Sequence, residues 1–212
     1  MTKELIIIGA GSFASEIISL IKRVNKHNKY WEILGLIDDD PKLHGAIIDS
    51  HKVFGGFDWL VNYKKALGIV FAIGNRKIVS KMVSQLENNE KIFFPNIIDP
   101  SVGIDHIKIG QGIVIFQGSI ISTNAKLNNH ITIGFNTVIG HHTIVGDLCF
   151  IGSGVVINGC VDISRGVFFG ANSTCVPAIK IGKYSTIGLG SAVMNNVKDG
   201  KTMIGVPAKS VF

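Results

Sequence analysis

Residues 133–158 read IGFNTVIGHHTIVGDLCFIGSGVVIN, and every sixth residue from Ile133 is aliphatic: Ile133, Ile139, Val145, Ile151 and Ile157. Extended in both directions, the same step runs from Ile109 to Val193 through fifteen positions, all of them apolar. Glycine follows the anchor at 110, 134, 140, 146, 152, 170, 182 and 188, and the fourth residue after it is small or β-branched, as at Ala125, Thr137, Val155 and Ser185. A period of six fits neither a helix, at 3.6, nor an uninterrupted strand, at 2. It fits a solenoid in which each hexad gives one short strand and a corner, three hexads make a coil, and side chains eighteen apart stack into an apolar ladder. Fifteen hexads give five coils. A Gly-rich sandwich instead needs strands spaced by 8 to 12 residues and variable turns. Beyond Val193 the pattern gives way to KDGKTMIGVPAKSVF, read as a short tail.

The first hundred residues lack this period. Leu5 to Ile8 reads as a buried strand ending in Gly9-Ala10-Gly11, with Ser12 as N-cap of a helix carrying Phe13, Ile17, Ile18 and Ile21 on one face. A second strand, Glu32 to Ile37, ends in Asp38-Asp39-Asp40-Pro41, and a third, Gly68 to Ile73, leads through Gly74-Asn75-Arg76 into a helix over 77–86. Strands alternating with helices imply a small parallel sheet, Rossmann-like, over residues 1–98, with the solenoid over 99–212.

Composition narrows the function. The 212 residues are 46% hydrophobic and 17% charged, too apolar for a disordered chain. The net charge of +6 comes without a block of five or six basic residues, which argues against nucleic acid as partner. No run of eighteen apolar residues occurs, so a soluble chain without membrane insertion is expected. Cys149, Cys160 and Cys175 form neither a CxxC pair nor an even framework, which points to a reducing, cytoplasmic compartment and no disulfide. Cys149 and Cys175 fall on interior repeat positions and read as core.

Two features carry chemistry. Gly9, Gly11 and Ala14 make a GxGxxA turn between strand and helix, a geometry that lets backbone N–H groups and the helix dipole hold a phosphate, and the acidic pair Asp38-Asp39 ends the next strand, where a ribose or base of NAD or of a nucleotide-sugar can be hydrogen-bonded. His141 and His142 follow Ile139-Gly140, so both lie on an outward corner and are accessible, and imidazole is the side chain suited to general-base work.

The order GAGSFASE, GLIDDD, AIGNR, GHHTIVGD, FFGANSTCVPAIKIG, TIGLGSAV and GVPAK resembles the sialic-acid O-acetyltransferase and bacillosamine-type nucleotide-sugar N-acetyltransferase family of hexapeptide-repeat enzymes, over essentially the whole chain. The resemblance implies a left-handed parallel β-helix, acetyl-CoA as co-substrate with no metal, a nucleotide-activated amino sugar as acceptor, and a homotrimer with active sites between subunits. It implies His141 as general base, with His142 standing where relatives carry Asp or Glu. Gly159, Ala171 and Leu189 match positions that contact the coenzyme, Gly159 standing eighteen residues beyond the base. Gly11, Ser12, Phe13, Asp38, Asp39 and Gly56 match positions that bind the nucleotide sugar, Phe13 replacing a residue that is often histidine. Phe150 falls where some relatives place a histidine donor to the thioester. Asn75 and Arg76 are further candidates to face the diphosphate.

Three alternatives follow. One is O-acetylation of sialic acid or a related sugar. Another is a γ-carbonic-anhydrase-like zinc enzyme drawing on His106, His130, His141 and His142. The last is an inactive binding or scaffold protein.

Overall fold

In a computed structural model of the chain, residues 3–27 and 30–211 are described. The chain divides into two compact units between Ile97 and Ile98, one residue before the boundary read from the sequence.

The first unit opens with β1 (Lys3–Ile8), α1 (Ser12–His27) and β2 (Trp31–Ile37). A 3-10 turn over Pro41–Leu43 then leads to a hairpin of β3 (Ile47–Ile48) and β4 (His51–Lys52), a short α2 (Trp59–Asn62), β5 (Leu67–Phe71), α3 (Arg76–Leu86) and β6 (Ile92–Phe93). The order β2-β1-β5-β6, with all neighbours parallel, is the small sheet that alternating strands and helices require. Leu5, Ile6, Ile7 and Ile8 are almost fully buried, and α1 buries Ala14, Ile17, Ile18, Leu20 and Ile21. Each large aliphatic side chain so removed from water contributes about 1.5–3 kcal/mol. Ser12 is already helical and the Ala14 N–H donates to Gly11 O, so the helix begins one residue earlier than the Ser12 cap implied. The hairpin has no alternation long enough to read. Its signal is Asp49-Ser50, both at positive φ (45° and 73°), the conformation of a two-residue primed turn.

The second unit is a left-handed parallel β-helix of about six turns. Its strands stack into three sheets: one runs from Val114–Ile115 through Thr132, Phe150 and Phe168 to Thr186, a second from Ile120 through Val138, Val156 and Thr174 to Ala192, and a third from Lys108 through Lys126, Ile144 and Asp162 to Lys180. Pairing is eighteen residues in register, as Thr132↔Phe150 and Ile151↔Phe169. From Leu127 onward every sixth-residue anchor is buried. The positions four residues later carry buried hydroxyls that bond to backbone carbonyls: Ser119 Oγ to Gly134 O at 2.7 Å, Thr137 Oγ1 to Gly152 O at 2.9 Å, Thr143 Oγ1 to Asn158 O at 3.0 Å. The buried Cys149 does the same, its Sγ reaching Ser164 O at 3.2 Å. Burial pushes the Cys175 thiol up to about 11, against a weaker opposing hydrogen bond from Asn158. The Cys175 thiol is therefore not a nucleophile near neutrality.

Each corner turns on one residue in the left-handed region, and these recur every six positions from Gly112 (φ 67°) to Gly190 (φ 63°). Asn, which tolerates this conformation, takes the position at 124, 136 and 172; His142 (φ 58°) and Cys160 (φ 59°) also occupy it.

The region read as a tail is instead the last coil. Val197 bridges to Ile181, Thr202–Ile204 pairs with Thr186 and Ile187, and Lys209–Ser210 folds back antiparallel. The register here is sixteen, two residues short. The side chains of Asn196 and Asp199 fill the gap, accepting the Lys180 and Lys183 N–H groups at 2.8 Å each.

Candidate functional site

In the first unit a cleft of about 160 Å³ opens at the carboxyl ends of β1, β2 and β5. It is lined by Gly9, Asp38, Asp39, Phe57, Ile73 and Ile78, among others. Open parallel sheets take their ligands at this end. Gly9, at φ 104°, allows the tight turn: a Cβ there would lie 2.7 Å from Ala72 O. Gly11 meets nothing within 4 Å, so the backbone is open to an incoming group. Gly11 and Ser12 are exposed and Phe13 is half-buried.

The two aspartates divide the work. Asp38 accepts the Ala10 N–H on Oδ2 (2.8 Å) and the Asp40 N–H on Oδ1 (2.9 Å), so its carboxylate ties the β2 end to the glycine turn. Asp39 Oδ1 accepts the Phe57 N–H at 2.8 Å, and the same oxygen would stand 2.9 Å from a Cβ at Gly56. Glycine at 56 is thus needed for that close approach. Asn75 caps α3, its Oδ1 accepting the Lys77 and Ile78 N–H groups, and Arg76 is buried with Nε donating to Gly74 O at 3.0 Å. Both contribute to the start of the helix.

In the second unit His141 and His142 are exposed on the corner between the Val138 and Ile144 strands. Their Nδ1 atoms are 3.1 Å apart, and His142 Nε2 is 3.3 Å from Asn124 Nδ2. Stacking explains the Asn124 contact: Asn124, His142 and Cys160 are eighteen apart at the left-handed position of successive corners, while His141 and Gly159 form the adjoining column. A Cβ at Gly159 would stand 2.5 Å from His141 Nε2. The imidazole therefore occupies the space that glycine leaves. An open groove of about 700 Å³, lined by His106, Lys108, Asn124, Lys126, His142 and Ile144 among others, borders the His142 side of the pair.

The direction of this hydrogen-bond chain decides what His141 can do. If Asn124 donates to His142 Nε2, His142 keeps its proton on Nδ1, gives it to His141 Nδ1, and leaves His141 protonated at Nε2. With the Asn124 amide turned so that Oδ1 faces Nε2, each bond reverses. His142 then accepts at Nδ1, and His141 Nε2 carries a lone pair able to take a proton. A neutral His142 can thus orient the His141 ring, at the position where the resemblance implies Asp or Glu.

Ala171 and Leu189 stack on another corner, between the Phe168 and Thr174 strands, with the Gly190 N–H donating to Ala171 O at 2.9 Å. Leu189 is 77% exposed. Between this corner and that of His141 lies the sheet face carrying Ile120 (60% exposed), Val138, Val156 (39%) and Ala192. Phe150 stacks on Phe168 at 5.5 Å and offers no polar donor. Of the histidines considered as zinc ligands, His130 is buried; among the described residues the group able to hold a metal ion is His141, His142 and Cys160. Cys160 and Asn124 were not singled out from the sequence, because the hexad step marks anchors and not the corner position they share.

Residues 4–86 match the PglD N-terminal domain family. A sequence search of curated proteins finds no match. Solved structures match over the whole chain. The acetyltransferase domain of PglB from Neisseria gonorrhoeae has 20% identity and a TM-score of 0.88, covering 99% of this chain and 100% of that one. PerB from Caulobacter crescentus, in complex with CoA and GDP-perosamine, has 22% identity and a TM-score of 0.89, covering 100% and 99%. WeeI from Acinetobacter baumannii has 22% identity and a TM-score of 0.87, covering 99% and 100%. Residues 4–86 of the first unit thus match the model of the PglD N-terminal domain, and the chain as a whole has the fold of PerB and of the PglB acetyltransferase domain.

Proposed function

We propose that the protein transfers the acetyl group of acetyl-CoA to the amino group of a nucleotide-linked amino sugar in glycan synthesis, with His141 as general base. The observation that carries this reading is an exposed imidazole seated on Gly159, its Nδ1 engaged by His142, in a fold shared with an enzyme solved with CoA and GDP-perosamine.

The amine nitrogen attacks the thioester carbonyl carbon and its proton passes to His141 Nε2. The C–S bond then breaks, and the proton moves from the imidazolium to the departing CoA thiolate. N-acetyl sugar and CoA leave with the base restored. Positioned proton transfer of this kind contributes about 10²–10⁴-fold. The Gly159 N–H is the donor assigned to the tetrahedral oxyanion.

For the acceptor, the open backbone at Gly11 and Ser12 takes the diphosphate, with Phe13 beside it. Asp39 and Gly56 shape the nucleoside side of the cleft, and Asp38 holds the turn in place. The Ala171 and Leu189 corner takes the elongated coenzyme. The exposed apolar face around Ile120 and Val156 suits burial against further copies in a homotrimer, which brings corners of neighbouring copies together. Among the described residues no helix is long and apolar enough to cross a membrane, and free thiols and cytosolic substrates fit a cytoplasmic enzyme.

The test is thiol release from acetyl-CoA with a panel of UDP- and GDP-linked amino sugars. Turnover with at least one, reduced about 10²-fold or more by His141→Ala, is expected. A His141→Ala protein as active as its parent would remove the proposed base.

A further inference from the structure

Cys160 stands outside the proposed acetyl transfer, yet it completes a cluster with the two histidines. One donor atom of each residue lies within 4.8 Å of the others. His141 Nδ1 is 3.1 Å from His142 Nδ1 and 4.0 Å from Cys160 Sγ. Tetrahedral zinc, with Zn–N of about 2.0–2.1 Å and Zn–S of about 2.3 Å, separates its ligands by roughly 3.3–3.6 Å. The observed spacings bracket that range. All three side chains are exposed, so an ion can reach them and keep an open fourth position.

His142 and Cys160 hold the left-handed position of successive corners, which stacks these two ligating side chains one coil apart.

We propose that His141, His142 and Cys160 form an inhibitory site for zinc or a similarly soft divalent cation, bound through the two Nδ1 atoms and the Cys160 thiolate. Imidazole and thiolate select such ions over magnesium and calcium. Binding releases the thiol proton to solvent. It also fixes the His141 ring proton on Nε2, since Nδ1 gives its lone pair to the metal. Nε2 is the atom that must accept the amine proton, so metal binding and general-base action exclude one another. This regulatory half rests on the proposed acetyl transfer; the binding half does not.

The site is read with cobalt(II) as probe on the full-length protein. One equivalent is expected to bind with a thiolate-to-cobalt charge-transfer band that zinc displaces. Cys160→Ser should abolish the band and weaken zinc binding at least about tenfold, and His142→Ala should weaken it likewise, with unchanged circular dichroism. No band, or a band that survives in Cys160→Ser, overturns the site. In turnover assays zinc should inhibit the parent reversibly with chelator, while Cys160→Ser turns over normally and resists zinc. Equal inhibition of both proteins overturns the inhibitory role. A parent inactive on every sugar sinks the acetyl transfer instead, and the cobalt spectrum still decides the site.

Discussion

His141 lies against Gly159, one coil away, so closely that a single methyl group at 159 would stand 2.5 Å from Nε2 and 2.6 Å from Cε1. Because the imidazole is exposed, it can swing aside where a core residue could not. Gly159→Ala is therefore expected to leave the melting temperature nearly unchanged while kcat falls about 10²-fold through misplacement of the base. Unaltered kcat, measured by steady-state thiol release, would show that the ring position does not matter.

Asn124 sets the tautomers of both histidines through its amide orientation. Asn124→Asp presents only acceptor oxygens to His142 Nε2, fixing the arrangement in which His141 Nε2 holds a lone pair. We expect kcat/KM to rise, by up to about tenfold, equivalent to about 1.4 kcal/mol, and Asn124→Leu to lower it. If all three proteins share one pH–rate profile, the chain of hydrogen bonds has no part in the reaction.

The apolar face between the two corners gives a prediction about assembly. Introducing charge by Ile120→Glu with Val156→Glu leaves the coil interior intact, since both side chains point outward. Sedimentation should show a trimer for the parent and monomer for the variant, with turnover lost alongside. A variant that stays trimeric rules this face out as the interface.

In the first unit the Tyr63 hydroxyl donates to Glu4 Oε2, and Lys65 Nζ stands 3.3 Å from Oε1. The Tyr63 hydrogen bond, more than Lys65, holds the Glu4 carboxyl below its usual 4.5. Burial, with Glu4 adding to it, pushes Tyr63 up to about 12 from 10.0. A lowered carboxylate stabilises the fold above the unfolded value and loses that effect as pH falls. A raised phenol stabilises below its unfolded value and loses the effect as pH climbs toward 12. Tyr63→Phe should therefore cost about 1–2 kcal/mol between pH 5 and 9 and progressively less outside that window, as read by urea unfolding across pH. A cost independent of pH would assign Tyr63 to packing alone.

Much of this architecture is written in the spacing of Ile133, Ile139 and Val145, because a six-residue repeat has one economical way to bury its anchors. The parallel sheet was equally open to reading from Leu5–Ile8 and the turn at Gly9. The final coil was hidden, since Val197 and Met203 bury by a step of sixteen and not eighteen from Ile181 and Ile187. The division of labour between Asp38 and Asp39 was hidden too. Adjacent carboxylates look alike in sequence, and only the Ala10 and Phe57 N–H groups distinguish them. Cys160 joined the histidines through the third dimension, by coil stacking, where no local motif announces it.

The shortened last coil also governs what happens beyond the end of the solenoid. A parallel rung with unpaired amides is a template on which another chain can grow, and repeat proteins left open at an end tend toward fibres. Dropping two residues and doubling back at Lys209–Ser210 breaks that template, so growth along the coil axis is terminated by the chain itself.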